Sequence, residues 1–208
     1  MSNFPENNIY HLIDINSSSS FSTRSAVFLD RDGVINEEKH LLHTLDEFEM
    51  IKKSAEAIRC LNLAGLPVIV IHNASVVCRG LCDLDMVIKI NERMKEELSL
   101  VGARLDAILF CPHHVAANNK KFARDCNWRK PGIGMIDYSS RTFGIDPKNS
   151  FLIGDSAKDM ELGHAVGAKT ILLETGHAGK DAPTGARPDF VASDLFSAVN
   201  SILSRGGR

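Results

Sequence analysis

The segment Ala26–Asn36, which reads AVFLDRDGVIN, decides the fold of this chain. Its first four residues are apolar and predict a short buried strand. The strand runs directly into Asp30 and Asp32, two carboxylates that repel one another unless a cation lies between them. Gly33 then permits a sharp turn and a close approach of the backbone to a ligand. An isolated D-x-D pair is usually only a polar turn, so its meaning depends on what the rest of the chain supplies.

Strand and helix patterns alternate along the rest of the chain. The predicted strands cover 67–71, 107–110, 150–153, 170–173 and 190–192, and the predicted helices cover 54–64, 83–98, 135–143, 160–166 and 195–203. This alternation predicts an α/β fold, a Rossmann-like parallel sheet with helices on both faces. Ligands of such sheets bind at the carboxyl ends of the strands. We expect a flexible N-terminal lead over residues 1–25 and one domain over residues 26–208.

A second acidic motif follows a later strand. The predicted strand at 150–153 leads to Asp155 and Asp159. Because the carboxyl ends of parallel strands meet at one edge of the sheet, these carboxylates and the first acid pair should lie together. Such a hard, oxygen-rich site suits Mg²⁺.

Two further segments carry groups that suit a phosphate ligand. The strand ending at position 71 is followed by His72, Asn73 and Ser75, which can offer hydrogen-bond donors to phosphate oxygens. Lys130 lies in an Arg-Lys-Pro segment and supplies a cation. Taken alone, Asn73 and Ser75 would more often shape a turn, and a single lysine would more often be solvated surface.

Taken together and in this order, these pieces resemble the haloacid dehalogenase (HAD) superfamily of phosphatases over about residues 26–180. Within it, the segments DRDGVIN, CPHH and RKP resemble the branch that dephosphorylates D-glycero-D-manno-heptose 1,7-bisphosphate, with histidinol-phosphate phosphatases as near relatives. The resemblance implies a HAD-type fold without a large cap domain. It also implies Mg²⁺-dependent removal of the C7 phosphate through an aspartyl-phosphate. The alternatives are a histidinol-phosphate phosphatase, or a weakly active or degenerate phosphatase that acts as a binding protein.

The resemblance assigns roles to the acidic residues. Asp30 would be the nucleophile, and Asp32 would protonate the leaving oxygen and then activate water. Asp155, Asp30 and the backbone carbonyl of Asp32 would hold Mg²⁺. Asp159 would support that shell from behind or orient Lys130, whose charge would offset that of the phosphoryl group.

Substrate-binding residues follow from the same resemblance. The expected contacts to the phosphate and the sugar phosphate come from His72, Asn73, Ser75, Arg79, Arg129 and Lys130. His72 stands where the family has threonine or serine, which predicts impaired activity or an altered substrate. Nearby carboxylates and phosphate should favour a protonated imidazole, so we expect activity that falls as the pH rises.

The segment 111–130 is a possible metal loop. In the heptose-bisphosphatase branch this loop holds a structural zinc bound by three cysteines and one histidine, and three of those ligands map onto Cys111, His113 and Cys126. The fourth position is Trp128, whereas a closed zinc site has four protein ligands. Either His114 substitutes for the missing ligand, or the loop holds no zinc and packs Trp128 as a hydrophobic plug.

Composition limits the partners and the compartment. A net charge of −2 over 208 residues argues against a nucleic-acid partner. No apolar run reaches the roughly 20 residues that span a bilayer, and the N-terminus lacks the pattern of a secretory signal. Five cysteines, an odd number, predict reduced thiols in the cytoplasm. We expect a monomer whose partner is a small phosphorylated sugar or a related metabolite.

A receiver-type signalling domain is the non-enzymatic alternative, since it also phosphorylates an aspartate on a parallel α/β fold. Receivers usually place an acid pair after the first strand and the phosphorylated aspartate after a later one, and they need only about 120 residues. Here both members of the D-x-D pair follow the first strand of the domain, and the second acidic motif lies late in the chain. This order favours the phosphatase.

Overall fold

Strands and helices alternate through the residues that the computed structural model describes, which are 10–13, 24–181 and 185–206. The strands are β1 (Tyr10–Ile13), β2 (Val27–Leu29), β3 (Val68–Asn73), β4 (Ala107–Cys111), β5 (Phe151–Gly154), β6 (Lys169–Leu173) and β7 (Phe190–Ala192). The helices are α1 (Ser54–Leu63), α2 (Ser75–Arg79), α3 (Leu84–Leu100), α4 (Gly134–Phe143), α5 (Ala157–Val166) and α6 (Leu195–Gly206). Single 3₁₀ turns cover Leu45–Glu47, Lys120–Phe122 and Pro147–Asn149.

All seven of these strands join one sheet in the order β1-β4-β3-β2-β5-β6-β7. The strands β2 to β7 are parallel to one another, which confirms the predicted fold class. β2 lies between β3 and β5, and Leu29 pairs with both Val70 and Ile153. The residues that follow these three strands therefore emerge side by side at one edge, where a ligand site of this fold is expected.

The N-terminal segment differs from the predicted flexible lead. Tyr10–Ile13 forms β1, which pairs antiparallel with β4, so the sheet is mixed at this edge. An uncovered edge strand presents unpaired backbone N–H and C=O groups, and pairing with them can order a short segment that lacks a strong pattern of its own. Residues 1–9 and 14–23 of the predicted lead lie outside the described residues.

Two apolar layers hold β2 in place. Val27 and Leu29 pack in a cluster with buried residues of α1, α3 and α6 on one face of the sheet. Phe28 packs on the other face with residues of α4 and α5. This split follows from the two-residue period of a strand. Each such side chain stabilises the fold by about 1.5–3 kcal/mol when fully buried. The loop after β2 therefore starts from a rigid base.

Within the described residues, the connections that follow β2 and β4 at the carboxyl edge of the sheet contain little regular secondary structure. Between β2 and α1 there is one 3₁₀ turn, and between β4 and α4 there is another. The prediction of a fold without a large cap domain is therefore confirmed. Among the described helices, none combines the length and the apolar character needed to cross a membrane.

Candidate active site

A pocket of about 310 Å³ opens where β2, β3 and β5 end. The pocket is lined by the three acidic residues predicted as nucleophile, acid–base group and direct Mg²⁺ ligands, which are Asp30, Asp32 and Asp155. It is also lined by five of the six predicted phosphate-binding residues, which are Asn73, Ser75, Arg79, Arg129 and Lys130. Asp159 lies directly behind this group, because its side chain contacts Lys130. The topology thus brings together residues that are far apart in the sequence.

Lys130 links the first and the second acidic motif. Its Nζ lies 2.7 Å from Asp30 Oδ2 and 2.7 Å from Asp159 Oδ1, and its side chain is 3% exposed. The other oxygen of Asp159 accepts hydrogen bonds from the backbone N–H and the hydroxyl of Ser156, at 3.2 and 2.6 Å. Asp159 is therefore fixed at the start of α5, and it holds the ammonium group against Asp30.

Burial alone acts on the pKa values of Asp30 and Lys130 in opposite directions. Desolvation raises the pKa of Asp30 well above its usual range, and the Asp159 and Asp155 carboxylates raise it further, whereas Lys130 opposes the shift. Burial lowers the pKa of Lys130, but Asp159 and Asp30 outweigh this and leave it raised. One buried ammonium thus faces several carboxylates, and the site favours an additional cation.

The carboxylates fit Mg²⁺ by their chemistry and spacing. Ligand oxygens of Asp30, Asp155 and Asp159 lie within 4.8 Å of one another. Burial raises the pKa of Asp155 to about 7, and Asp159 and Glu38 add to that rise. An all-oxygen set of carboxylates that resist sharing a site is the donor set of a hard divalent cation. Because Asp159 is fully buried behind the pocket whereas Asp30 and Asp155 line it, Asp30 and Asp155 are the carboxylates best placed to bind the cation directly.

Two glycines make room for Asp155. Gly33 has a φ of +75°, and a Cβ there would lie 2.7 Å from the carboxyl carbon of Asp155. This agrees with the close approach predicted from the sequence. A Cβ at Gly176, after β6, would also contact the Asp155 carboxyl group and would lie 2.8 Å from Gly33 Cα, and the N–H of His177 donates to Asp155 Oδ2 at 2.7 Å. The sequence does not single out this loop, because it carries no motif of its own.

Asn73 and Ser75 hold the lysine loop in position. Asn73 Oδ1 accepts from the backbone N–H of Lys130 at 3.0 Å, and its amide donates to the Lys130 carbonyl at 3.2 Å. Ser75 Oγ accepts from both terminal nitrogens of Arg129, at 3.2 Å each. These residues lie where the prediction placed them, and they also orient the cations of the site.

His72 is the exception, because the structure does not place it in the pocket. Its side chain is buried, its ring stacks on Phe110 with centroids 5.3 Å apart, and its Nε2 lies 3.5 Å from Asn91 Nδ2. Adjacent strand residues face opposite ways, so the orientation of Asn73 toward the site turns His72 toward α3. Burial, with Arg31 and Lys130 adding to it, lowers the pKa of His72 well below 6.5. The predictions of a phosphate contact and of a protonated imidazole are wrong.

Cys111, His113 and Cys126 meet in the predicted metal loop. Their ligand atoms lie within 4.8 Å of one another, and Cys111 Sγ lies 3.6 Å from His113 Nδ1. The other ring nitrogen of His113 accepts from Arg124 at 2.6 Å, which leaves Nδ1 directed toward the sulfur atoms. His114 is not in this cluster, since its Nδ1 accepts a backbone hydrogen bond from Ala116. The substitution of His114 as a fourth ligand is therefore not what the structure shows.

Trp128 does not join the cluster of Cys111, His113 and Cys126. Its ring packs against Tyr138, with centroids 5.4 Å apart, and belongs to the apolar layer around α4. This position agrees with the alternative in which Trp128 packs as a hydrophobic plug, and it leaves three protein ligands in the cluster.

The pocket wall also includes residues that the sequence did not single out. The titratable ones among them are Arg31, Glu38, His40, Lys158, His177 and Asp181. Glu38 Oε2 lies 3.6 Å from His177 Nε2, and Lys158 Nζ lies 3.4 Å from Asp181 Oδ2. The two members of each pair are far apart in the sequence. Only the proximity of Glu38 to DRDGVIN and of Lys158 to Asp159 in the sequence could have indicated that these residues lie at the site.

This fold and site define a class of protein, the hydrolases that place a nucleophilic aspartate after the central strand of a parallel sheet. Residues 127–198 match the HAD-hydrolase-like family. The chain is 43% identical over 150 residues to a D-glycero-β-D-manno-heptose-1,7-bisphosphate 7-phosphatase of Rhodopseudomonas palustris, over 72% of this chain and 83% of the relative. It is 35% identical over 189 residues to a corresponding 7-phosphatase of Thermosynechococcus vestitus, over 87% and 96%. The chain belongs to the HAD-like hydrolases, in the branch of these phosphatases.

Solved structures agree with this assignment. The D,D-heptose 1,7-bisphosphate phosphatase of B. bronchiseptica, complexed with magnesium and phosphate, has a TM-score of 0.75 and 29% identity, over 87% of this chain and 99% of that one. The corresponding enzyme from Burkholderia thailandensis has a TM-score of 0.65 and 31% identity, over the same shares.

The pKa of Asp155 predicts pH-dependent Mg²⁺ binding. A carboxyl group with a pKa of about 7 must lose its proton before it can bind the cation. We expect the apparent affinity for Mg²⁺ to be about tenfold weaker at pH 6 than at pH 8, as measured by isothermal titration calorimetry. Asp155→Asn should bind weakly at both pH values. Equal affinity of the wild type at the two pH values would contradict this.

The burial of His72 predicts a pH-dependent stability. Because its pKa is lowered on folding, only the unfolded chain takes up this proton just below pH 6.5, so the free energy of unfolding falls as the pH falls. We expect Tm to drop less for His72→Thr than for the wild type between about pH 7.5 and 5.5. The exposed His164→Thr serves as the control. The same pH dependence in the wild type and His72→Thr would show that His72 does not carry this effect.

Proposed function

We propose that this protein is a Mg²⁺-dependent phosphomonoesterase that removes the C7 phosphate of D-glycero-D-manno-heptose 1,7-bisphosphate through an aspartyl-phosphate on Asp30. One observation carries the proposal: Asp30 lies at the floor of the pocket, 2.7 Å from a buried lysine that Asp159 holds in place. The activity and substrate of the named relatives support the choice of reaction. The bound ions of the B. bronchiseptica structure support the cofactor.

The residues of the site divide the reaction between them. Asp30 attacks phosphorus, and the bond to the leaving oxygen breaks as Asp32 gives that oxygen a proton. Asp32 then takes a proton from water, which attacks the phosphoryl group and frees Asp30. Lys130 offsets negative charge through both steps. Asp30, Asp155 and the carbonyl of Asp32 would hold Mg²⁺, which would supply further charge neutralisation.

The pocket wall suits a substrate with a second anionic group. Arg79, Arg129 and Lys158 all line the pocket, beyond the cation that pairs with Asp30. Arg129 is oriented by Ser75 and by the carbonyl of His113, at 3.1 Å, so its guanidinium is held in a defined direction. Guanidinium groups recognise phosphate oxygens through pairs of hydrogen bonds. This arrangement favours a sugar bisphosphate over histidinol phosphate, which carries a cationic amine.

Replacement of the nucleophile tests the mechanism. We expect Asp30→Asn to fold, because Lys130 keeps its contact with Asp159, and to lose at least about 10³-fold in kcat for phosphate release from the bisphosphate with Mg²⁺. Asp137→Asn, which removes a half-exposed carboxylate on α4 that pairs with Arg141, is the matched control and should keep full activity. Substantial turnover by Asp30→Asn would refute the aspartyl-phosphate. A wild type that binds sugar phosphates without releasing phosphate would identify a degenerate phosphatase.

We propose that the cluster of Cys111, His113 and Cys126 holds Zn²⁺ with three protein ligands. Burial raises the pKa of the Cys111 thiol to about 12, so a cation is needed to stabilise its thiolate at neutral pH. Burial lowers the pKa of His113 to about 4, so its imidazole is uncharged. Zinc binding at Nδ1 requires the ring proton on Nε2, so we expect the contact of Nε2 with Arg124 to open when zinc binds. Zinc there would stiffen the loop that carries Arg129 and Lys130.

Metal analysis tests the zinc proposal. Protein purified without chelator should contain close to one zinc per chain, and Cys126→Ser should lose it, because two ligands cannot close the site. Cys60→Ser, which changes a cysteine outside the cluster, should leave the content unchanged. Zinc-free wild-type protein would indicate that the packing of Trp128 replaces the metal.

Two properties remain predictions. All five cysteines are free, which supports our proposal that the protein works in the reducing cytoplasm. The proposed monomer is testable by light scattering, and a dimer at micromolar concentration would contradict it.

A further inference from the structure

The side chain of Asp32 accepts hydrogen bonds from two neighbours, Arg31 and Asn36. Arg31 Nε and Nη2 lie 3.2 and 3.1 Å from its Oδ1, and Nη2 also lies 3.0 Å from its Oδ2. Asn36 Nδ2 donates to Oδ1 at 2.9 Å. Asp32 is 23% exposed at the pocket, whereas the Arg31 side chain is only 4% exposed. The forked contact of a guanidinium with a carboxylate fixes direction as well as distance.

The far side of Arg31 is held by a helix. Arg31 Nη1 donates to Asn91 Oδ1 at 3.0 Å, and Asn91 is fully buried in α3. Because its oxygen accepts from Arg31, the Asn91 amide group presents its N–H₂ to His72 Nε2, 3.5 Å away. In this arrangement Nε2 of a neutral His72 accepts, and the proton lies on Nδ1, which is buried without a hydrogen-bond partner among the described residues.

This polar chain interrupts an otherwise apolar helix face. The other buried residues of α3 are Val87, Ile90, Met94 and Leu98. A buried amide and a buried imidazole with one unsatisfied N–H are less favourable there than apolar side chains of similar size. The hydrogen bonds of such a chain specify orientation rather than add much stability. The orientation that they specify is that of Arg31, and through it that of Asp32.

We infer that Asn91 and Arg31 are positioning residues that hold the Asp32 carboxylate in the direction from which it reaches the leaving oxygen and the attacking water, and that His72 fixes which way the Asn91 amide faces. The inference rests on the proposed function, because it assigns these residues to the acid–base step. It gives His72 a role at a position where no contact with the phosphate is available.

The physical reason is the geometry of proton transfer. A general acid must lie within hydrogen-bond distance of the atom it protonates. A partly exposed aspartate can otherwise rotate among staggered side-chain conformations, and most of these point away from the substrate. Loss of the Arg31–Asn91 contact should therefore reduce the fraction of enzyme in which Asp32 is in place, while Asp30, Lys130 and Asp155 keep their positions.

Asn91→Leu tests the inference with a series of aryl phosphates. The parameter kcat/KM covers only the steps up to departure of the alcohol, so its dependence on leaving-group basicity reports how well the general acid works. Phenyl phosphate needs its leaving oxygen protonated far more than 2,4-dinitrophenyl phosphate does. We expect Asn91→Leu to lose about tenfold more kcat/KM on phenyl phosphate than on the dinitrophenyl ester, a part of the roughly 10²–10⁴-fold contribution of general acids.

Matched variants separate positioning from damage to the fold. Ile90→Val shortens the neighbouring buried side chain of α3 and should affect both esters equally. Asn91→Asp keeps an oxygen that accepts from Arg31 and should regain most of the kcat/KM on phenyl phosphate that Asn91→Leu loses. Asn91→Ser replaces Asn91→Leu in the comparison if the leucine variant does not fold. An equal loss on both esters in Asn91→Leu or Asn91→Ser would overturn the inference.

The same series of esters distinguishes failure of the positioning role from failure of the proposed function. Asp32→Asn should show the steepest dependence on the leaving group. If the wild type with Mg²⁺ hydrolyses none of the esters, or if Asp32→Asn keeps the wild-type dependence, the proposed acid–base step fails and the inference fails with it. If both behave as expected and the Asn91 variants do not, only the positioning role is wrong.

Discussion

The contact of Lys130 with Asp30 and Asp159 is the interaction on which the rest of the site depends. It joins the segments that follow β2, β4 and β5, and each of its two N–O distances is 2.7 Å. Burying an ammonium group is unfavourable unless it is paired, and here two carboxylates pair with it. Asp30, the proposed nucleophile, thus lies beside a positive charge that the chain fixes in place before any substrate enters. Such preorganised charge is the usual basis of phosphoryl-transfer catalysis.

The loop that delivers this lysine is held from several sides. Asn73 makes two hydrogen bonds with the backbone of Lys130, and Arg129, next to it, is tied to Ser75 and to the carbonyl of His113. The cysteine–histidine cluster lies in the same segment. A segment with one 3₁₀ turn and no longer element in its described part therefore gains its rigidity from side-chain contacts. Catalytic groups on loops are positioned by this kind of support.

The sequence predicted the residues whose positions follow from local pattern. Asp30, Asp32 and Asp155 come directly after buried strands, and parallel topology alone brings such residues to one edge. The orientation of His72 could not be predicted from a motif, because it depends on which way its neighbour in the strand faces and on the presence of Asn91 in a distant helix. Glu38 and His177 likewise meet only because loops after β2 and β6 converge. Contacts between loops depend on tertiary packing, which no local period encodes.

The strand Tyr10–Ile13 has a consequence for how the chain assembles. Tyr10 pairs with Phe110, and Ile13 pairs with Ala107. During synthesis β1 precedes its partner β4, so it has no partner until residues 14–106 have been made, and the loop that its pairing closes is long. β1 is thus without its partner while β2 and β3 are being made. Closure of this edge of the sheet awaits β4, although the strand that closes it precedes every other described strand in the chain.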